Sequence, residues 1–255
     1  MRKILLAGLA GVIATIGLAT PAAAITYGAP DGNGHPAVGA LLAPQAYADG
    51  TWVTCSGTLI SPTVFLTAAH CDQGLDRVAV TFDPTYDAAT GTTYQGTWHA
   101  SAGYSQAQND PQDIAVVVLD RPVAGITPAR LPRAGSLGGL PAGTGITSVG
   151  YGAQAVTIDK GPVFHYADVR YAAAGTLNAV NPSWLRVSMN PATGNAGTCY
   201  GDSGGPNFLG AGTTETNIVA GTTITGDSMC RATNVTYRTD TAAARAFLGR
   251  FVALP

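Results

Sequence analysis

Short runs of β-branched and apolar residues, each bounded by Gly, Pro, Asn or Asp, recur along most of the chain. They predict strands over Val38 to Leu42, Thr51 to Ile60, Thr63 to Leu66, Val78 to Phe82, Ile114 to Leu119, Gly145 to Val149, Val163 to Tyr171, Leu185 to Met189 and Ile218 to Thr225. Many short strands at this spacing build a sandwich or a barrel. The period changes once, near the end, where Ala244, Phe247, Leu248, Phe251 and Val252 share one face at helical spacing behind a capping Asp240 or Thr241. A Gly-rich connection over 134–145 falls near the middle of the strand-forming chain, and no repeat or low-complexity tract is present. The pattern predicts an all-β fold of two halves packed as one unit, closed by a short C-terminal helix.

The first residues stand apart from that pattern. Met1-Arg2-Lys3 gives a positive start, Ile4 to Ala19 an apolar run, and Pro21-Ala22-Ala23-Ala24 a small-residue cleavage site. Together they read as a secretory signal over 1–24, leaving a mature chain that begins at Ile25. Gly8, Gly11 and Gly17 interrupt the run, which is shorter than the ~20 residues a bilayer-spanning helix needs, so a signal is favoured over an anchor. The expected product is extracellular, soluble and free of the membrane.

Composition narrows the function. Charged residues make up 11% of the 255 and the formal net charge is −2, or −4 once Arg2 and Lys3 are removed, which argues against a nucleic-acid partner. Thirty-three glycines and sixteen prolines, against one glutamate (Glu215) and two lysines, disfavour helices. Four cysteines, Cys55, Cys71, Cys199 and Cys230, suit an exported chain with two disulfides, for which the sequence alone allows three pairings. Their scatter, with no C-x-x-C or H-x-x-x-H spacing, gives no reason to expect a metal or cofactor.

Catalytic chemistry is concentrated in Cys199-Tyr200-Gly201-Asp202-Ser203-Gly204-Gly205-Pro206. Glycines on both sides of a serine let the backbone turn sharply and aim its amides at one point. A serine hydroxyl also needs a base within reach, and the base needs a carboxylate to hold its tautomer. The nucleophile elbow of α/β-hydrolases shares the G-x-S-x-G pattern, but there the histidine follows the serine. Here the histidines are His35, His70, His99 and His165, all before Ser203, so that architecture is excluded. His70, in Thr67-Ala68-Ala69-His70-Cys71, ends an apolar strand beside a cysteine and is rigidly mounted. His35, His99 and His165 read as ordinary surface or strand positions. Asp113 leads directly into the apolar run Ile114 to Leu119, where burial strengthens its hold on an imidazolium.

Thr67-Ala68-Ala69-His70-Cys71, Asp113-Ile114-Ala115 and Gly201-Asp202-Ser203-Gly204-Gly205-Pro206, in that order, resemble the three signature segments of the chymotrypsin-like, or trypsin-fold, serine proteases. The resemblance runs from Ile25 to the C-terminal helix, includes Val149-Gly150-Tyr151-Gly152, and is nearest to the secreted actinobacterial branch. It implies two six-stranded antiparallel β-barrels with the active site in the cleft between them. It further implies that His70 is the general base, Asp113 its orienter and Ser203 the nucleophile. The amides of Gly201 and Ser203 would hold the oxyanion, and the cysteines would pair as Cys55 with Cys71 and Cys199 with Cys230. In this family a new N-terminal Ile turns inward and pairs its ammonium with the Asp before the nucleophile. Ile25 and Asp202 are the matching residues, so signal removal alone would expose the activating amine.

The specificity pocket departs from trypsin. The position six before Ser203 is Gly197 and not Asp, so the resemblance implies no buried carboxylate for an Arg or Lys side chain. Gly226 and Val235 would line the walls, with Ile224 and Thr225 in place of the family's wall segment, Asp227 near the rim and Thr223 the candidate hydroxyl for Asp113. The expected partners are protein or peptide substrates and protein inhibitors of proteases, acting on a monomer. A catalytically inactive binding module on the same fold and a small-ester hydrolase are the alternatives. Asn234-Val235-Thr236 is a formal glycosylation sequon.

Overall fold

The computed structural model describes residues 25–107 and 109–255, so the expected signal segment lies outside it. Fifteen strands follow in order: β1 (Ala29–Pro30), β2 (Val38–Leu42), β3 (Val53–Ser61), β4 (Val64–Thr67), β5 (Arg77–Thr81), β6 (Tyr94–Ala100), β7 (Ala115–Leu119), β8 (Gly145–Gly150), β9 (Ala155–Ile158), β10 (Pro162–His165), β11 (Tyr171–Val180), β12 (Trp184–Ser188), β13 (Pro206–Leu209), β14 (Val219–Gly226) and β15 (Thr233–Arg238). A single α-helix, α1 (Ala242–Leu248), comes last among the described elements.

Strands β2-β3-β4-β7-β6-β5 close the first barrel. The second runs β11-β12-β15-β14-β13-β8 and closes through β8 pairing with β11, with β1 added at the edge of β11. Every pairing between these strands is antiparallel. The fold is thus the expected all-β pair of six-stranded barrels, with β9 and β10 forming a separate hairpin.

The predicted strand over Val163 to Tyr171 is corrected to two pieces. Asp168 takes φ +50° between them, and its buried carboxylate accepts the amides of Trp52 and Val53 at 2.7 and 3.1 Å. Those bonds tie the turn to the start of β3, so a side-chain anchor overrides the local β-preference. Strands β1, β6, β9, β11, β13 and β15 had no counterpart in the predicted set. β11 reads YAAAGTLNAV, rich in Ala and Gly, and its pairing with β8 and β12 outweighs that weak propensity.

The main core spans both barrels. It includes Val38, Leu66 and Val116 from the first, Val149, Phe208 and Tyr237 from the second, and Ala244, Phe247 and Leu248 from α1. Thr241 caps that helix by accepting the amide of Ala244 at 3.2 Å. Arg170 is buried between the barrels. It donates to the carbonyls of Val38 and Phe82 at 2.8 and 3.1 Å, to the Tyr151 hydroxyl at 3.2 Å and to Asp31 at 2.7 Å.

Candidate active site

His70 sits in a 3-10 turn, Ala69–Cys71, directly after β4. The Cys55–Cys71 disulfide ties that turn back to β3, with the two Cα atoms 6.2 Å apart. Asp113 is only 5% exposed at the entrance to β7. Its carboxylate accepts twice from the same residue, from the His70 backbone amide at 2.9 Å and from the ring Nδ1 at 2.7 Å. The ring is therefore fixed in tilt and tautomer, with Nε2 left as the basic nitrogen. Among the described residues no hydrogen bond joins the Thr223 hydroxyl to Asp113, in contrast to the expectation; its Oγ1 accepts from Asn207 Nδ2 at 3.0 Å.

His70 and Ser203 line one cavity of about 330 Å³, together with Thr198, Tyr200, Ile224 and Asp227. Among the described residues no hydrogen bond joins the Ser203 hydroxyl to the imidazole, a contact that often tightens only when substrate is bound. The serine loop is shaped by Gly201 at φ +92° and Gly204 at φ +77°. A Cβ on Gly204 would fall 2.0 Å from Thr67 Oγ1, so glycine is required there for close approach as well as for conformation. The amides of Asp202, Gly204 and Gly205 donate to the carbonyls of Cys199, Thr223 and Asp202. Those of Gly201 and Ser203 donate to no protein group among the described residues.

Ser56 escaped the sequence reading. Its amide donates to the Ser203 carbonyl at 2.8 Å. Its hydroxyl donates to the Gly201 carbonyl at 3.0 Å and accepts the Tyr151 amide at 2.9 Å. This fully buried side chain pins the serine loop to β3 of the opposite barrel. Its position next to Cys55 was the one available signal. His35 was also read too simply: it stacks on Phe208 at 5.5 Å and bridges Asp31 and Glu215, the latter at 2.6 Å. His99 lies against the Phe251 ring, and the His165 ring is hydrogen-bonded to Thr157, consistent with their ordinary roles.

Asp202 is fully buried, and its carboxylate accepts the amides of Gly152 and Cys199, both at 2.8 Å. Burial pushes its carboxyl up to about 7, against the lowering effect of those two bonds. Gly150 and Gly152 wrap it closely: a Cβ on either would fall within 2.5 Å of the Asp202 side chain. Ile25 is fully buried against Ala173 and Ala196. Thr26 next to it donates to the carbonyls of Gly197 and Cys230, at 3.2 and 2.7 Å. No ion pair joins Ile25 to Asp202 among the described residues, where the Ile25 nitrogen is a peptide amide preceded by Ala24.

Of the predicted pocket residues, Gly226 lines the cavity that holds Ser203. Val235 lines the adjoining one, shared with His70, Asp113, Tyr104 and Trp184. Gly197 lies behind the wall, where a Cβ would meet Met189 Sδ at 2.5 Å. Asp227 turns its carboxylate onto its own loop. Burial raises its carboxyl, but the amides of Thr233, Ala232, Arg231 and Met229 outweigh that effect and hold it below the usual range. The Cys199–Cys230 disulfide closes this side of the cavity. Among the described residues the one grouping of metal-ligand types is Cys55, His70 and Cys71, whose sulfurs are bonded to each other.

Two antiparallel barrels, a histidine held by a buried aspartate and a glycine-bound serine in one cavity define the chymotrypsin-like serine protease class. The Trypsin family model matches residues 31–247, so the chain belongs to that family and is a serine-type endopeptidase. Among its relatives are brachyurin of Leptuca pugilator, 33% identical over 180 residues (66% of this chain, 77% of the relative), and chymotrypsin of Phaedon cochleariae, 30% identical over 204 residues (74% and 68%). Snake venom serine proteinase 14 of Crotalus adamanteus is 29% identical over 163 residues, covering 60% of this chain and 61% of the relative. Human heparin binding protein, a solved structure, shares the fold at a TM-score of 0.65 and 19% identity, over 87% of this chain and 92% of that one.

Proposed function

We propose that the chain, once freed of residues 1–24, is a secreted monomeric endopeptidase that hydrolyses peptide bonds through an acyl-enzyme on Ser203. His70 Nε2 takes the Ser203 proton as Oγ attacks the scissile carbonyl, and the amides of Gly201 and Ser203 receive the oxyanion. As the intermediate collapses, the imidazolium gives its proton to the leaving amine. A water then attacks the acyl carbon as it loses a proton to His70, and the Ser203 Oγ–acyl bond breaks as the imidazolium returns that proton to Oγ and the acid leaves. Asp113 stays ionised and holds the ring in place throughout. The observation that carries this reading is the double Asp113–His70 hydrogen bond beside Ser203 in one cavity.

Activation follows from Ile25 and Asp202. Asp202 is buried with no cation beside it among the described residues, and Thr26 is already bonded to Gly197 and Cys230. A free ammonium on Ile25 would give that carboxylate its counter-ion and set the serine loop. For specificity, Met189 fills the space where a carboxylate at position 197 would stand, and the wall presents Ile224 and Thr225. Asp227 at the rim is engaged by its own loop. The favoured substrate residue is therefore small or medium and apolar rather than Arg or Lys. Protein inhibitors of serine proteases would fit the same cleft.

A peptide-library cleavage profile of the mature chain, with Ser203→Ala as the blank, tests this reading. It should show cleavage after apolar residues at least tenfold above cleavage after Arg or Lys. Strict cleavage after basic residues would overturn the pocket assignment, and ester turnover without peptide turnover would overturn the endopeptidase.

A further inference from the structure

Beneath the cavity wall lies a buried group of polar side chains to which the catalytic reading gives no role. Asn207, on β13 four residues beyond Ser203, is fully buried, and its carboxamide makes four hydrogen bonds. Nδ2 donates to Thr223 Oγ1 and Thr236 Oγ1, both at 3.0 Å. Oδ1 accepts from Ser148 Oγ at 2.8 Å and from Asn234 Nδ2 at 2.7 Å. That is the full hydrogen-bonding capacity of an amide, shared among strands β8, β14 and β15. Burying such a group is costly unless every atom is partnered, whereas an aliphatic side chain would fill the space without that demand. What the hub adds over packing is direction.

Its partners stand where direction counts. Thr223 and Thr236 face one another across the β14–β15 ladder, and the next residue, Ile224, has no partner: the register resumes with Thr225 opposite Val235. Ile224 is the extra residue of a bulge, and it lines both cavities beside His70. Thr225 and Gly226 beyond it line the cavity that holds Ser203. On the other side of Asn207 the β13–β14 register shifts again, between Asn207 and Phe208. The stretch of β14 leading into the pocket wall thus carries two bulges, at Ala220 and Ile224, and a one-residue slip at either would turn its side chains to the opposite face. Packing resists a one-residue slip for that reason, but discriminates less between registers that keep the same face inward. Two hydrogen bonds to the hydroxyls of the Thr223–Thr236 pair admit one of them. The strand also closes tightly over the hub, since a Cβ on Gly221 would meet Thr236 Oγ1 at 2.5 Å.

The geometry points to Asn207 as a positioning residue for substrate selection: by pinning Thr223 to Thr236 from beneath, it fixes the bulge that presents Ile224 to the cavity. This rests on the endopeptidase reading above. Asn207 touches no substrate and takes no part in proton transfer, so its loss should alter which side chains are accepted more than how fast a bound acyl group reacts.

Asn207→Leu and Asn207→Asp test the assignment, the second keeping the shape while leaving at most one donor in place of two. Thr236→Val removes one acceptor at constant shape, outside either cavity, and serves if the Asn207 variants do not fold. Each is assayed with a series of peptides differing only in the residue before the cleaved bond, and with a small acyl ester. The expected result is a rise of about tenfold in KM for the preferred peptide, a fall of less than about threefold in kcat on the ester, and a flattened preference among side chains. Thr236→Val should shift the preference in the same direction. Variants that lose thermal stability yet keep the parent's ratios of kcat/KM among side chains would overturn the assignment and leave Asn207 a structural residue. A folded parent chain that turns over neither ester nor peptide would instead remove the reading on which it rests.

Discussion

Asp202 is the single side chain on which the proposed activation turns. Its carboxyl is raised from an ordinary 3.8 to about 7 by burial, so the fold favours the neutral acid. A raised folded-state value means that the stabilising contribution is complete below about pH 4 and is lost as pH rises through about 7. For a chain retaining Ala24 ahead of Ile25, urea unfolding from pH 4 to pH 8 should therefore show falling stability, on the order of 4 kcal/mol at full effect. Asp202→Asn should remove that fall. If, as proposed, the new ammonium of a chain beginning at Ile25 pairs with the carboxylate, the alkaline loss should shrink, and Asp202→Asn should now cost about 3–5 kcal/mol by stranding a buried cation. The same pH slope in both forms would contradict the pairing. Asp202, Ser203 and the surrounding glycines were legible in the sequence because their chemistry is local to one loop. Ser56 was not, because its importance lies in reaching Gly201 and Tyr151 on the other barrel, 145 and 95 positions away.

Secondary elements divide in the same physical way. Strands whose residues are themselves apolar or β-branched, such as Val38–Leu42 and Ala115–Leu119, lie where the pattern placed them to within a residue. Tyr171–Val180 is among the longest strands, yet it reads YAAAGTLNAV, and only pairing with β8 and β12 makes it extended. The helix was readable from its periodicity and cap together, but it ends at Leu248, so Phe251 and Val252, expected on its face, lie in the turn and bend beyond it. Because its Ala244, Phe247 and Leu248 enter the main core, fraying at its start is felt there. Thr241→Ala should cost about 1 kcal/mol through the lost cap, read as a fall in Tm of about 2–4 °C. An unchanged Tm would mean that packing alone holds the first turn.

The molecule as a whole brings together groups that neither barrel holds alone. His70 and Asp113 belong to the first barrel, and Ser203 to the loop entering the second. Arg170 and Ser56 bond across the seam, and one core cluster runs through both halves. The order of the three chemical groups along the chain was enough to select this architecture, while the positioning of each depended on bonds between distant segments. Stoichiometric reaction of the mature chain with a small fluorophosphonate, read by intact mass and peptide mapping, probes that assembly directly. One adduct per chain on Ser203, absent in Ser203→Ala and slowed at least a hundredfold in His70→Ala, is the predicted result. A folded chain that stays unlabelled, or carries the adduct on another residue, would contradict it.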